Sequence, residues 1–417
     1  MNFSLAEASD LAHPDVQSVK ERQEVMKRNQ RKAFTIIELL VVVSIIALLI
    51  GILLPAIGKA RDAALTSTSV SNLRQLGIAH ATYASEWNDN HWTVLPHNAA
   101  SYGNSLPDAI ANYPGGSTNW PRILMGWDSA QSIYQLPPAA QFGLAPYLPF
   151  VYDSSASGWN MGPNGGGFYR LINVPSFNSY MNGRFYDHAF YAPKDRTVIS
   201  AIGDCWDYPG NFCVPGDDEA EFYSIYYSSY SLAGSALYNP SIWNRPAGQL
   251  PTINELFQSF PAAFRTPSTS VAQYPDLKTH MIEHHWLQNA PGDCNPAMSN
   301  TAYAKYDGCE PYYFSHGINS TPRTLFYDGH VAPLSLATAK RDNEVVIANM
   351  EGSSGNDATT MGLWRTDAGD FGGNGYFSEF GAGIDAAGFA DTTVTTGVHM
   401  LTTGGIRGRD ILSGGSN

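Results

Sequence analysis

The chain predicts an α+β fold: a long N-terminal helix, half of it transmembrane, packed on an antiparallel β-sheet domain with long loops. Three observations carry this expectation. Residues 34–57 are 24 mostly apolar positions with one formal charge, Glu38. From Lys59 to Trp87 there is no proline, and Leu73, Leu76, Tyr83 and Trp87 recur at three- and four-residue steps with His80 among them. Beyond residue 88 that periodicity stops. The 39 Gly, 26 Pro and 23 Tyr of the 417 residues fit short strands joined by loops.

The apolar segment comes first. As a helix it would be about 36 Å long at 1.5 Å per residue, enough to cross a hydrocarbon core of about 30 Å. Lys27, Arg28, Arg31 and Lys32 precede it. Basic flanks stay in the cytoplasm, so the chain is expected to cross the inner membrane once, with its C-terminal mass outside. A carboxylate costs roughly 2.5–3.5 kcal/mol at the centre of a membrane and less near an end. Glu38 therefore calls for a partner. Ser44, also in the span, can bond back to a helix carbonyl and needs no other role.

RKAFTIIELL (residues 31–40) resembles the N-terminal cleavage and methylation segment of type IV prepilins and type II secretion pseudopilins. The resemblance implies cleavage by a prepilin peptidase between Ala33 and Phe34, followed by methylation of the new Phe34 amine. It also implies an assembly role for Glu38, the fifth mature residue, and a helix bend at Pro55, the twenty-second. The family nearly always carries glycine where this chain has Ala33. The implied partners are the peptidase, other pilin or pseudopilin subunits and membrane lipid. Elementary electrostatics agrees, because a carboxylate in lipid must be paired and a neighbouring copy's Phe34 amine is a suitable opposite charge. The rival is an ordinary signal anchor with one tolerated charge.

The expected divisions are a leader over 1–33, with Met26 as the preferred start; the membrane segment over 34–57; and the exported half of the helix over 58–88. A loop-rich β-sheet domain follows over 89–340, then a Gly-rich C-terminal extension over 341–417. Met26 opens MKRNQRKA, with four basic residues and no acid, whereas residues 1–25 hold five acids against two bases. Strand candidates are 197–202, 222–232 and the two arms around Asp328–Gly329, the last read as a type I′ hairpin. Tyr223, Tyr226, Tyr227 and Tyr230 do not alternate cleanly; a tyrosine-rich surface could stack on sugars, but buried packing is the commoner use. SNLRQLGIAHATYASEWNDN, HGINSTPRTLFYDGHV and the terminal GIRGRDIL resemble stretches of large pilin-like proteins of planctomycete and verrucomicrobial type. In the second, His316 precedes Asp328–Gly329 by two residues more than the family spacing.

Residues 62–417 carry 16 Lys+Arg against 31 Asp+Glu, which disfavours nucleic acid as a partner. The cysteines fall in two local pairs, Cys205 with Cys213 and Cys294 with Cys309, expected as disulfides outside the cytoplasm. Their spacing does not fit a zinc ribbon or redox motif. His280 and His284 have the four-residue spacing of a helical ligand pair, a weak metal candidate without the HExxH order, and no metal is assigned. Asp217, Asp218, Glu219 and Glu221 form an acidic loop that could take calcium, though without EF-hand spacing; no cofactor is assigned. No nucleophile elbow, P-loop or dinucleotide fingerprint is present. The expectation is a structural, non-enzymatic pilin-like subunit, displayed at the cell surface or in the periplasm. The alternatives are a membrane-tethered adhesin or glycan-binding protein and a membrane-anchored metal-dependent hydrolase.

Overall fold

The computed structural model describes residues 35–93, 101–104, 106–115, 123–127, 130–131, 133–136, 171–215, 228–233, 239–240, 266–283, 321–350, 362–363 and 402–413. These show a mixed α+β architecture with one long apolar helix and a four-stranded antiparallel sheet. Helix α1 spans Ile36–Glu86, 51 residues, and carries Pro55 inside it. The chain divides into two compact units, Met1–Arg61 and Asp62–Asn417.

In the first unit the side chains of α1 are exposed throughout, including every large apolar one from Ile36 to Ile57. Among the described residues α1 is the one helix long and apolar enough to cross a membrane. Ser44 Oγ donates to the Val41 carbonyl at 2.8 Å, as its position in the span suggested.

In the second unit α1 turns a stripe inward. Ser69, Asn72, Leu73, Leu76, Ala79, His80, Tyr83 and Ala84 are buried, at the spacing of one helical face. Trp87, expected on this stripe, is half exposed; its indole donates to Tyr180 Oη at 3.0 Å. The sheet facing the stripe has the order β3 (Tyr230–Leu232), β4 (Thr279–Glu283), β5 (Arg323–Phe326), β6 (Val331–Pro333), all antiparallel. A separate two-stranded hairpin, β1 (Ile123–Trp127) with β2 (Ile133–Leu136), lies within the loop-rich middle. Helix and sheet approach closely at Gly77, where a Cβ would come within 2.9 Å of Leu325 Cδ2. They are also tied by polar bonds. Ser69 Oγ donates to the buried Glu283 Oε1 at 2.6 Å and lies 2.9 Å from Tyr230 Oη, and the Arg323 amide donates to Glu283 Oε2.

Two sequence expectations are corrected. Residues 197–202 are not a strand but lie in a helix, Arg196–Ile202. Val198 and Ile202, four apart, are its buried positions, so the run is a helical stripe rather than an alternation. The β5–β6 hairpin forms around Asp328–Gly329, but not through a type I′ turn. Gly329 has φ +88°, whereas Asp328 has no positive φ, and type I′ needs it at both central residues. The connection is four residues, Tyr327 to His330, with Phe326 N donating to His330 O at 2.9 Å. The Asp328 carboxylate instead accepts from His330 N and Nδ1, at 3.0 and 2.6 Å.

The C-terminal stretch is part of the core. Ile411 packs with Leu277, Phe326, Leu334, Ala339 and Leu363. Helix α2 (Leu336–Met350) crosses residue 340, and its Asp342 accepts from Leu412 N. Asp410 is fully buried against Lys278 Nζ at 3.1 Å, and its carboxylate also accepts from Thr279 N and Thr402 Oγ1. Cys205 and Cys213 form a disulfide. Ala33, Phe34, Cys294, Cys309, His284, His316, Tyr223, Tyr226, Tyr227 and the acidic loop 217–221 lie outside the described residues. Tyr230, the one member of the tyrosine group described, is fully buried rather than presented on a surface.

Candidate functional site

Two places gather polar side chains that packing alone does not require. The first is the start of α1. Thr35 N and Thr35 Oγ1 donate to Glu38 Oε2 at 2.8 and 2.9 Å, and Glu38 N donates to Thr35 Oγ1 at 3.2 Å. This is a reciprocal capping box, in which a Thr and the Glu three residues on satisfy each other's helix-end donors. The T-x-x-E pattern is visible in FTIIELL, so Glu38 has a use at the helix start besides pairing with an amine. Both Thr35 bonds use Oε2, so Oε1 projects as the second oxygen of an exposed carboxylate at the head of an apolar helix.

The second place is buried in the larger unit. His80 on α1, His91 just past its end and His280 on β4 are all buried, and one ring nitrogen of each lies within 4.8 Å of the others. The rings meet edge to face, with centroids 4.2 Å (His80–His91), 4.3 Å (His80–His280) and 5.3 Å (His91–His280) apart. His91 is placed by the turn that ends α1. Asn88 and Asp89 adopt left-handed φ of 55° and 61°, and the Asp89 carboxylate accepts from Ser268 Oγ, Thr269 Oγ1 and the Ser270 amide. Partial burial pushes the Asp89 pKa up, but those hydrogen bonds outweigh it and hold the group down at about 2. His91 N then donates to Pro267 O at 2.9 Å.

Trp92 joins two of the imidazoles through its backbone. His91 Nδ1 lies 2.8 Å from the Trp92 carbonyl, which can only accept, so Nδ1 carries a proton. The Trp92 amide donates to His80 Nε2 at 3.1 Å. Burial, reinforced by the neighbouring imidazoles, lowers the pKa of His80 and of His280 well below the usual histidine value. Both are neutral at pH 7.

The sequence-predicted pair of His280 and His284 does not stand as a helical ligand pair, because His280 lies on a strand. Its companions come from elsewhere in the chain. The helical stripe through Leu73, Leu76 and Tyr83 places His80 on the face that packs on the sheet, and no motif marks His91. No spacing rule joins residues 80, 91 and 280, since the fold alone brings them together.

Residues 28–54 match the Prokaryotic N-terminal methylation motif. The match indicates a prepilin-like protein, of the kind that prepilin peptidase processes, and the apolar helix overlaps the matched stretch from Ile36 to residue 54. No curated protein and no solved structure matches the chain.

Proposed function

We propose that this chain is a subunit of a type IV pilus or type II secretion filament, of the large pilin-like kind. It is cut between Ala33 and Phe34, methylated on Phe34, and held by residues 34–57 in the inner membrane until it assembles with other subunits. Its C-terminal residues then lie outside the cytoplasm, in the periplasm or at the cell surface. The observation that carries this reading is an exposed apolar helix, opening on one carboxylate, within a prepilin-type methylation motif. Glu38 would meet the cationic amine of a neighbour's Phe34 and set the register between copies. Methylation keeps the amine charged, so it leaves that pairing intact. Ala33→Gly, which restores the residue usual in this family, is expected to leave processing unchanged or to speed it.

The reading is tested with Glu38→Ala. Alanine removes a costly charge from the span, so membrane insertion should be at least as good as in wild type. Cross-linking of the membrane fraction and shearing of surface filaments then report assembly. Loss of the variant from filaments supports the proposal; incorporation equal to wild type favours a plain anchor.

A further inference from the structure

We propose that His80, His91 and His280 form a buried binding site for a divalent transition metal of the zinc type. Three separate segments converge there: the second half of α1, the chain just beyond it, and the centre of the sheet. With Zn–N bonds of about 2.0–2.1 Å, tetrahedral ligands stand about 3.4 Å apart. The three nitrogens lie within 4.8 Å of one another, and a bound metal would have to draw them inward by side-chain rotation.

The protonation pattern suits a cation. Burial holds His80 and His280 neutral, which is the form that ligates metals. His91 is the best prepared, because its Nδ1 proton is spent on the Trp92 carbonyl. A backbone carbonyl on the far nitrogen is a common way to orient a ligating histidine. His280 Nε2 is buried and, among the described residues, has no hydrogen-bond partner. Binding a metal would satisfy it. His80 is the third ligand, and the Trp92 amide that donates to its Nε2 at 3.1 Å fixes the orientation of its ring. Phenylalanine would fill the same space if packing were the only purpose, with no polar atom left over.

The backbone points the same way. The β4–β5 register shifts between Thr279 and Met281, which makes His280 the extra residue of a β-bulge. In a regular strand residues 280 and 283 face opposite sides, yet the His280 ring meets His80 and Glu283 meets Ser69, both on α1. The bulge re-aims His280 towards the helix, a common use of bulges near functional sites. His80 and His280 also border a cavity of about 390 Å³ with Tyr327, Asp328 and Gly329. A water or small anion could enter there to complete the coordination. Three nitrogen ligands without a carboxylate favour zinc, copper, nickel or iron over calcium and magnesium, which take oxygen ligands.

The test uses the untagged full-length chain in detergent, stripped with a chelator and titrated with cobalt(II). The expected result is one cobalt per chain with the visible absorption of a low-coordinate nitrogen site, displaced by zinc and not by magnesium. His280→Asn and His91→Gln should each weaken binding by more than about 100-fold, the upper end for losing even an outer partner of a ligand. His330→Ala, which lies outside the trio, should bind as wild type does. Should the trio variants fail to fold, the wild-type chain still decides, because zinc should raise its melting temperature and magnesium should not. No stoichiometric cobalt or zinc on the wild type, or equal binding by a folded His280→Asn, overturns the site.

Discussion

Thr35 and Glu38 close on each other at the head of α1: two Thr35 donors reach Glu38 Oε2 at 2.8 and 2.9 Å, and the Glu38 amide returns to Thr35 Oγ1 at 3.2 Å. Glu38 thus serves the helix start as well as carrying the one charge in the span. These two uses can be separated, since glutamine fits a capping box as well as glutamate but carries no charge. Glu38→Gln is expected to keep the helix start and lose assembly with other subunits. Thr35→Ala is expected to weaken the helix start by about 1 kcal/mol and leave assembly in place. Filament incorporation measured for both variants checks this. Glu38→Gln assembling as wild type does would reduce the carboxylate to a cap.

A pH dependence follows from the histidines. The pKa values of His80 and His280 lie below the unfolded value of 6.5, so the unfolded chain binds protons that the folded chain refuses. Their stabilising effect is complete above about pH 6.5 and is lost as pH falls from there towards the folded values. The slope approaches about 1.4 kcal/mol per pH unit for each proton. Thermal melts between pH 7.5 and 5 should show falling stability, and His280→Asn should flatten the curve. An unchanged slope in that variant would remove His280 from the account.

The buried Lys278–Asp410 pair should respond unequally to its two halves. Asp410→Ala strands a buried ammonium and releases Thr279 N and Thr402 Oγ1, so it should cost about 3–5 kcal/mol. Lys278→Met should cost less, because the Asp410 carboxylate keeps its bonds to Thr279 and Thr402. Urea unfolding of the two variants gives the comparison. Equal losses would mean that the ion pair, and not the carboxylate's other bonds, dominates.

The cysteines offer a simpler check. Replacing Cys205 and Cys213 by serine opens a loop with a sequence separation of 8, which should cost about 2–3 kcal/mol on chain-entropy grounds. Non-reducing peptide mapping of the exported protein should recover the 205–213 bridge together with the proposed Cys294–Cys309 bridge. Free thiols at 294 and 309 would argue against the second.

The long helix was legible because both of its signals are local: an apolar run at residues 34–57, then a stripe at three- and four-residue steps through Leu73, Leu76 and Tyr83. The hairpin around Asp328–Gly329 was legible for the same reason, though not its turn type, since whether Asp328 takes a positive φ depends on where its carboxylate bonds. Residues 197–202 misled because a short apolar run fits a strand and a buried helix alike, and Val198 with Ile202 decides only after burial is known. Tertiary facts were not legible. Nothing local ties Asp410 to Lys278, or His80 and His91 to His280. The capping box is as local a signal as the apolar run, since Thr35 and Glu38 stand three residues apart at the head of the helix.

Intact-mass and peptide mass spectrometry of the protein recovered from the membrane or filament fraction decides whether this chain is processed as a prepilin. It reads the leader, the cut and the modification together, in the region that matches the methylation motif. The mature chain should begin at Phe34 with its amine methylated. A chain that retains Ala33 and the basic residues before it, in cells with an active prepilin peptidase, would contradict it.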